Sequence, residues 1–273
     1  MHALHSFIPT PTFSTVALGP FTIHMYALCI LLGAIAALSI GRARYAHVGG
    51  DPKTLTDLAI WVIPAGIIGG RLYHVATSPD AYFGTGGSPR DALKIWKGGM
   101  GIWGAVALGT LVAFLLFRRK DQRTNFALFA DALAPGLLVA QAIGRWGNWF
   151  NGELFGRPLH SWWGLEIPRG LRPVGFEGYS TFHPTFLYES LWCLFVAGAI
   201  ILAERRTTLR AGSTFLIYIF LYCLGRVAWE SLRIDPAHTL FGLRVNLLLS
   251  LVLMLTSGLW LWRRNRGSSK MHP

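Results

Sequence analysis

Residues 144–156 read G-R-W-G-N-W-F-N-G-E-L-F-G, with Arg145, Asn148, Asn151 and Glu153 set among glycines and aromatics. They follow Ala130–Ile143, an apolar run too greasy for an ordinary soluble helix. Cations, amides and carboxylates are costly in hydrocarbon and persist there when paired, wetted or used. The stretch therefore implies a membrane helix that ends in chemistry, and the rest of the chain is consistent with this. Of 273 residues, 52% are hydrophobic and only 14% charged, against about 25% charged in soluble domains. The formal charge of +12 could mean nucleic acid. However, the Lys and Arg fall mostly in short clusters between apolar runs, a pattern that topology and anionic lipid explain better. No nucleic-acid partner is expected.

A membrane helix needs about 20 mostly apolar residues. Seven runs qualify: Phe21–Ile40, Leu58–Thr77, Gly98–Phe117, Phe126–Ile143, Pro184–Ala203, Gly212–Leu232 and Leu243–Trp262. Basic clusters follow the first (Arg42, Arg44, Lys53), third (Arg118, Arg119, Lys120, Arg123), fifth (Arg205, Arg206, Arg210) and seventh (Arg263, Arg264, Arg266, Lys270). Alternate loops of this kind mark the cytoplasmic side. The expectation is an all-α integral membrane protein, one polytopic domain over 1–273. It is a seven-transmembrane-helix bundle with its amino terminus outside and its carboxyl terminus cytoplasmic. Residues 157–183 would form a small extracytoplasmic head, whose Glu166, Arg169 and Arg172 read as surface charges. Cys29, Cys193 and Cys223 lie inside apolar runs with no metal or disulfide spacing and read as small buried hydrophobes.

This topology assigns depths. His24, Tyr26, Gly98, Gly99, Gly101 and Trp103 belong near the outer surface, where the first and third spans enter. Arg71 and His74, Arg145 and Asn148, and Arg226 and Glu230 come late in outward-running spans. Three of those spans carry a Gly-Arg step: Gly70-Arg71, Gly144-Arg145 and Gly225-Arg226. Each Arg alone could snorkel to the interface. Together, in one leaflet, they suit forked hydrogen bonding of a phosphate, with glycine letting a headgroup approach. In the sixth span Tyr222, Arg226, Glu230 and Arg233 fall at i, i+4, i+8 and i+11, a single polar stripe. It reads as a self-neutralising ion-pair ladder, as a phosphate site oriented by Glu230, or as both. His183 to Glu189 (H-P-T-F-L-Y-E) opens the fifth span, with Pro184 suited to a first turn and Glu189 near the positive helix end. Asp131 has no assigned role.

These residues resemble a known family. Gly144–Gly156 matches at every fixed place the signature G-R-x-G-N-x-x-N-x-E-x-x-G of prolipoprotein diacylglyceryl transferases. The Tyr26 segment, Gly69–Tyr73, Trp96–Met100, His183–Glu189 and Gly225-Arg226 with Glu230 and Arg233 also agree, in the same order. The resemblance implies a bacterial cell-membrane enzyme of lipoprotein maturation, with seven helices and a site facing the outer leaflet. It implies transfer of the diacylglyceryl group of phosphatidylglycerol to the lipobox cysteine thiol of a prolipoprotein, releasing glycerol phosphate. By matching positions it marks Tyr26, Arg145, Asn148, Glu153, Gly156, Tyr222, Arg226 and Glu230. One departure stands out: the histidine that many members carry after the glycines aligns here with Trp103.

The catalytic set expected is Arg145, Arg226, Glu153, Glu230, Tyr26 and Tyr222. Arg145, Asn148, Asn151, Gly156, Arg71, Arg226 and Arg233 would bind the phosphatidylglycerol headgroup, with membrane lipid around the helices. His24 is the candidate base, ahead of His74 and His183, although a thiol already a few per cent ionised at neutral pH can dispense with one. Neither a metal nor a cofactor is expected. The rival class, a transporter or flippase for a lipid or anionic solute, should line a path across both leaflets with repeated halves. No such repeat is visible.

Overall fold

The computed structural model describes residues 7–19, 21–95, 98–120, 123–237 and 239–266. In chain order the elements are β1 (Ile8–Pro9), β2 (Thr15–Leu18), β3 (Phe21–His24), α1 (Met25–His47), α2 (Pro52–Thr77), the single turn α3 (Asp80–Phe83), α4 (Ile102–Lys120), α5 (Phe126–Asn151), β4 (Leu165–Glu166), β5 (Thr181–Phe182), α6 (Thr185–Arg206), α7 (Ser213–Glu230), β6 (Thr239–Leu240), β7 (Leu243–Arg244) and α8 (Val245–Arg266). Among the described residues, six helices are long and apolar enough to cross a membrane: α1, α2, α4, α5, α6 and α8. With the apolar composition, they make the chain a helical integral membrane protein. The shorter α7, with 18 residues, is not one of the six.

Several boundaries differ from the sequence expectation for identifiable reasons. Phe21–His24 is a strand, not the start of the first span: its β-branched alternation pairs antiparallel with Thr15–Leu18, His24 opposite Thr15. The third span begins at Ile102, because Gly98 and Gly99 sit at φ of +82° and +77°, which no helix contains. The fourth runs well past Ile143, so Arg145 and Asn148 lie inside α5. A short hairpin, β6–β7, precedes the last helix.

The chain divides into two compact units, one of Met1–Gly41 and Ala130–Pro273, the other of Arg42–Phe129. In the first, Leu138, Ala142, Cys193, Val196, Ala197 and Ile200 form a core between α5 and α6, with Ile217, Tyr218, Leu221 and Tyr222 of α7 packed on it. Close approach of α1 and α5 rests on small residues: a Cβ on Gly136 would stand 2.8 Å from the Ala37 carbonyl oxygen. Small residues let helix backbones meet where hydrophobicity cannot drive association. α7 begins at Gly212, in the left-handed region, without a cap of its own. Asp131 of α5 supplies one, accepting from the Gly212 (2.5 Å) and Phe215 (2.8 Å) amides, so the residue left unassigned from sequence caps a neighbouring helix.

Around the segment between α5 and α6, Phe155, Leu165, Ile167, Phe182 and Phe186 form a second small core. The sheet here runs β1-β4-β5, the first pair parallel and the second antiparallel. In the other unit α2 packs on α4 through Gly69 and Gly104, each of which would drive a Cβ into the other's carbonyl oxygen. A Cβ at Gly66 would instead meet Ala105 O at an ordinary 3.6 Å. Gly69→Ala should therefore destabilise the detergent-solubilised protein by about 1–3 kcal/mol, and Gly66→Ala should not. Thermal unfolding of the two variants side by side checks this.

Candidate active site

The last two turns of α5 carry Arg145 and Asn148 inward, and the chain then reverses. Gly152 (φ +61°) and Leu154 (φ +58°) both take left-handed conformations. The Glu153 amide returns to the Asn148 carbonyl at 3.1 Å. The reversal lays the Glu153 carboxylate back on the helix end, where Asn148 Nδ2 and Asn151 Nδ2 each donate to Oε1 at 3.0 Å. Tyr26, at the start of α1, packs on Gly147, where a Cβ would stand 2.6 Å from the ring. It lies within electrostatic reach of Glu153 and Arg145. Beyond the reversal, the Thr185 hydroxyl donates to the Leu154 carbonyl, fixing the first turn of α6. Glu189 follows one turn later.

From there the polar residues form one continuous chain. Arg145 Nη2 lies 2.6 Å from Glu189 Oε2 and its guanidinium also meets the Tyr222 phenol. The same Glu189 oxygen is 3.0 Å from Arg226 Nη1. Arg226 Nη2 reaches Glu230 Oε2 at 2.7 Å. Glu230, fully buried, also meets Arg233 Nη1 at 3.4 Å and Arg244 Nε at 2.9 Å, with Asn246 Nδ2 at 3.5 Å. Asp235 closes the far end, accepting from Arg233 Nε (2.7 Å) and Arg244 Nη2 (2.8 Å). Beside Arg226, Gly225 leaves room for the Trp192 indole. A cavity of about 10 Å³, room for one water, is lined by Glu189, Tyr222, Arg226 and Trp229 among others. The indole N–H of Trp229 is buried and has no hydrogen-bond acceptor among the described residues.

A run of largely buried guanidiniums of this kind has the forked donors that can hydrogen-bond an oxyanion. Comparison with known proteins is decisive on kinship, because residues 14–263 match the family described as prolipoprotein diacylglyceryl transferase. The chain belongs to that family. It is 52% identical over 241 residues to the phosphatidylglycerol–prolipoprotein diacylglyceryl transferase 2 of Streptomyces coelicolor, covering 88% of this chain and 75% of that protein. It is 51% identical over 245 residues to the transferase so named from Cutibacterium acnes, covering 90% and 82%, and 48% identical over 261 to that of Paenarthrobacter aurescens, covering 92% and 81%.

Within this family member the structure joins Arg145, Tyr222, Arg226, Glu230 and Arg233 in one chain and sets Tyr26, Asn148, Asn151 and Glu153 beside its α5 end. Gly156 packs closely, a Cβ there standing 2.8 Å from the His183 side chain. Its amide donates to the His183 carbonyl at 3.0 Å, and it pairs with Arg233, tying the end of the signature to the segment after α7. His24 is exposed on β3. His183 hydrogen-bonds through Nδ1 to the Tyr188 hydroxyl at 3.1 Å, and its burial pushes its imidazole below the ordinary range. Arg71 lies in the other unit. Its donors go to the carbonyls of Ala92 (2.7 Å), Gly98 (2.5 Å), Gly99 (2.8 Å) and Asp91, and its guanidinium stacks 5.1 Å from the Tyr82 ring centre. Trp103 sits in the first turn of α4. Trp96 and Lys97, quoted for the resemblance, lie outside the described residues.

Sequence reasoning gave Glu189 only a helix-end role and gave Asp235, Arg244 and Asn246 none. Glu189 stood in a segment already noted, and its pairing with two arginines is the added fact. Breaking one member of a buried ion pair costs about 3–5 kcal/mol. Glu230→Ala should therefore lower unfolding stability in detergent by about that amount, with Arg226, Arg233 and Arg244 left facing one another. Asp235 lies outside the membrane-spanning helices. Burial works against its charge, but hydrogen bonds and charge from Arg233 and Arg244 prevail and hold its carboxyl below the usual range. Its contribution is complete above about pH 4 and is lost as pH falls through the lowered value. A thermal-stability profile taken downward from pH 5 should thus fall less steeply in Asp235→Asn than in the parent.

Proposed function

We propose that the chain transfers the diacylglyceryl group of phosphatidylglycerol to the cysteine thiol of a prolipoprotein, the first step of lipoprotein maturation. The observation that carries this reading is the arginine–carboxylate chain from Arg145 to Asp235, joined to a family whose members are named for that transfer. The phosphate is held between Arg145 and Arg226, with the Trp229 N–H as a further donor. The thiolate sulfur attacks the diacylglyceryl carbon that carries the phosphate ester. A C–S bond forms, the bond from that carbon to the ester oxygen breaks, and its electron pair leaves on that oxygen as part of glycerol phosphate. The thiol proton passes to that phosphate or to water. Preorganised cations beside the departing oxygen stabilise the charge developing there and also favour the attacking thiolate. Glu230 fixes Arg226, Arg233 and Arg244 in register. Asn148, Asn151 and Glu153 form the neighbouring wall, with Tyr26 and Tyr222 against Arg145.

Arg71, donating to the carbonyls of Ala92, Asp91, Gly98 and Gly99, holds the glycine loop before α4. The basic clusters support seven crossings, with α7 as the seventh, an outer amino terminus, a cytoplasmic carboxyl terminus and a site open to the outer leaflet of a bacterial cell membrane. Membership of a transferase family leaves the transporter reading without support.

The test is transfer from phosphatidylglycerol to a lipobox peptide in detergent, read as thioether product and released glycerol phosphate. Arg145→Ala and Arg226→Ala should each lower turnover by about 100-fold or more, and near-normal rates in both would overturn the clamp. Trp103→His should leave the rate within a few-fold if no base is needed at that position. A large gain would reveal that a base had been lacking.

A further inference from the structure

The ion-paired chain holds four guanidiniums, of Arg145, Arg226, Arg233 and Arg244, and three carboxylates, of Glu189, Glu230 and Asp235. It carries a surplus of one positive charge. Glu153 stands outside it, held by the amides of Asn148 and Asn151. The three carboxylates are not equivalent. Asp235 serves Arg233 and Arg244, and Glu230 is shared among Arg226, Arg233 and Arg244, and neither carboxylate lines the cavity. Glu189 lines the cavity, and one of its oxygens bridges the two arginines that would hold the lipid phosphate, at 2.6 and 3.0 Å. A carboxylate oxygen between two guanidinium forks is the arrangement a phosphate oxygen would make there. The site thus contains an anion of its own.

Substrate and product differ in charge in a way this arrangement can sense. The phosphate of phosphatidylglycerol is a diester with one negative charge. Once the C–O bond breaks it becomes a monoester, carrying about −1.5 to −2 at neutral pH. The chain of four cations and three anions is neutralised by the diester and overfilled by the monoester. Among largely buried side chains such a mismatch weighs more than it would in solution.

We propose that Glu189 is a resident counter-anion that matches the arginine chain to a phosphodiester and, after transfer, recovers the guanidiniums from the monoester, driving glycerol phosphate out. This rests on the diacylglyceryl-transfer reading above. Glu189 is then a positioning residue that sets specificity and product release, and takes no part in bond making.

The experiment uses the full chain in detergent, with phosphatidylglycerol micelles and a lipobox peptide. Inhibition is measured with two soluble probes, glycerol phosphate (a monoester) and glycerophosphoglycerol (a diester). The parent should be inhibited more strongly by the diester. Glu189→Gln raises the surplus to two positive charges, so glycerol phosphate should inhibit at a concentration about tenfold lower and the order of the probes should reverse. A burst of product should precede a slower steady state, because product leaves slowly. Glu189→Asp keeps the charge and should restore the parent order of inhibition even where its rate is lower. A merely structural role for Glu189 would move none of these ratios. Should Glu189→Gln fail to fold, Asp235→Asn changes the same surplus from the chain's more exposed end and should shift the probe ratio in the same direction, by less. An unchanged probe ratio in the variants, with normal transfer by the parent, overturns the role of Glu189 alone. A parent that releases no glycerol phosphate when lipid and peptide are both present overturns the underlying reading.

Discussion

One fully buried carboxylate, that of Glu230, holds the polar interior together. It faces Arg226, Arg233 and Arg244 at once, so a helix end, the turn after it and the strand before α8 are all fixed to a single group. Charges taken out of water are tolerable only when paired and hydrogen-bonded, and each arginine here is paired by geometry more than by proximity. The consequence for chemistry is rigidity. Arg226 cannot swing away from its second partner, Glu189, without giving up Glu230, and its fork is therefore aimed before any lipid arrives. Preorganisation of this kind is what makes fixed charges effective on a developing oxyanion.

The signature around Arg145 contributes the other half of the site by a different device. A helix carries the cation and the amides inward, and two left-handed residues then fold the chain back so that Glu153 meets the side chains of Asn148 and Asn151. The glycines at 147, 152 and 156 have separate tasks. Gly147 admits the Tyr26 ring, Gly152 permits the reversal, and Gly156 allows the return strand to touch both His183 and the segment after α7.

Much of this was legible in the sequence because it is local. The motif's residues are a few positions apart, and the stripe Tyr222–Arg226–Glu230–Arg233 follows from helical periodicity. What escaped was long-range or non-helical. Glu189 reads as a helix-end carboxylate when only its neighbours are considered, since Arg145 and Arg226 lie far along the chain in either direction. Arg244 and Asp235 sit in a loop of mixed charge whose strand pairing has no strong periodic signal. Phe21–His24 looked like the start of a helix because an apolar run does not reveal where a strand gives way to a span. Arg71 looked like the other Gly-Arg steps, and only its carbonyl partners set it apart.

Asp131 has a consequence beyond stability. It holds the first turn of α7 from a neighbouring helix. The number of residues from Asp131 to Arg145 along α5 equals that from Gly212 to Arg226 along α7. At 1.5 Å per residue, both arginines stand about 21 Å from the shared cap. The two helices work as matched rulers hung from a common hook, so the spacing of the pair at the site is determined at the opposite end of the bundle. Side chains along the rulers, Tyr222 apart, can vary so long as they pack. Their length cannot, because one residue added to either would turn its arginine by about 100° and lift it by about 1.5 Å, out of reach of the carboxylate the two now share.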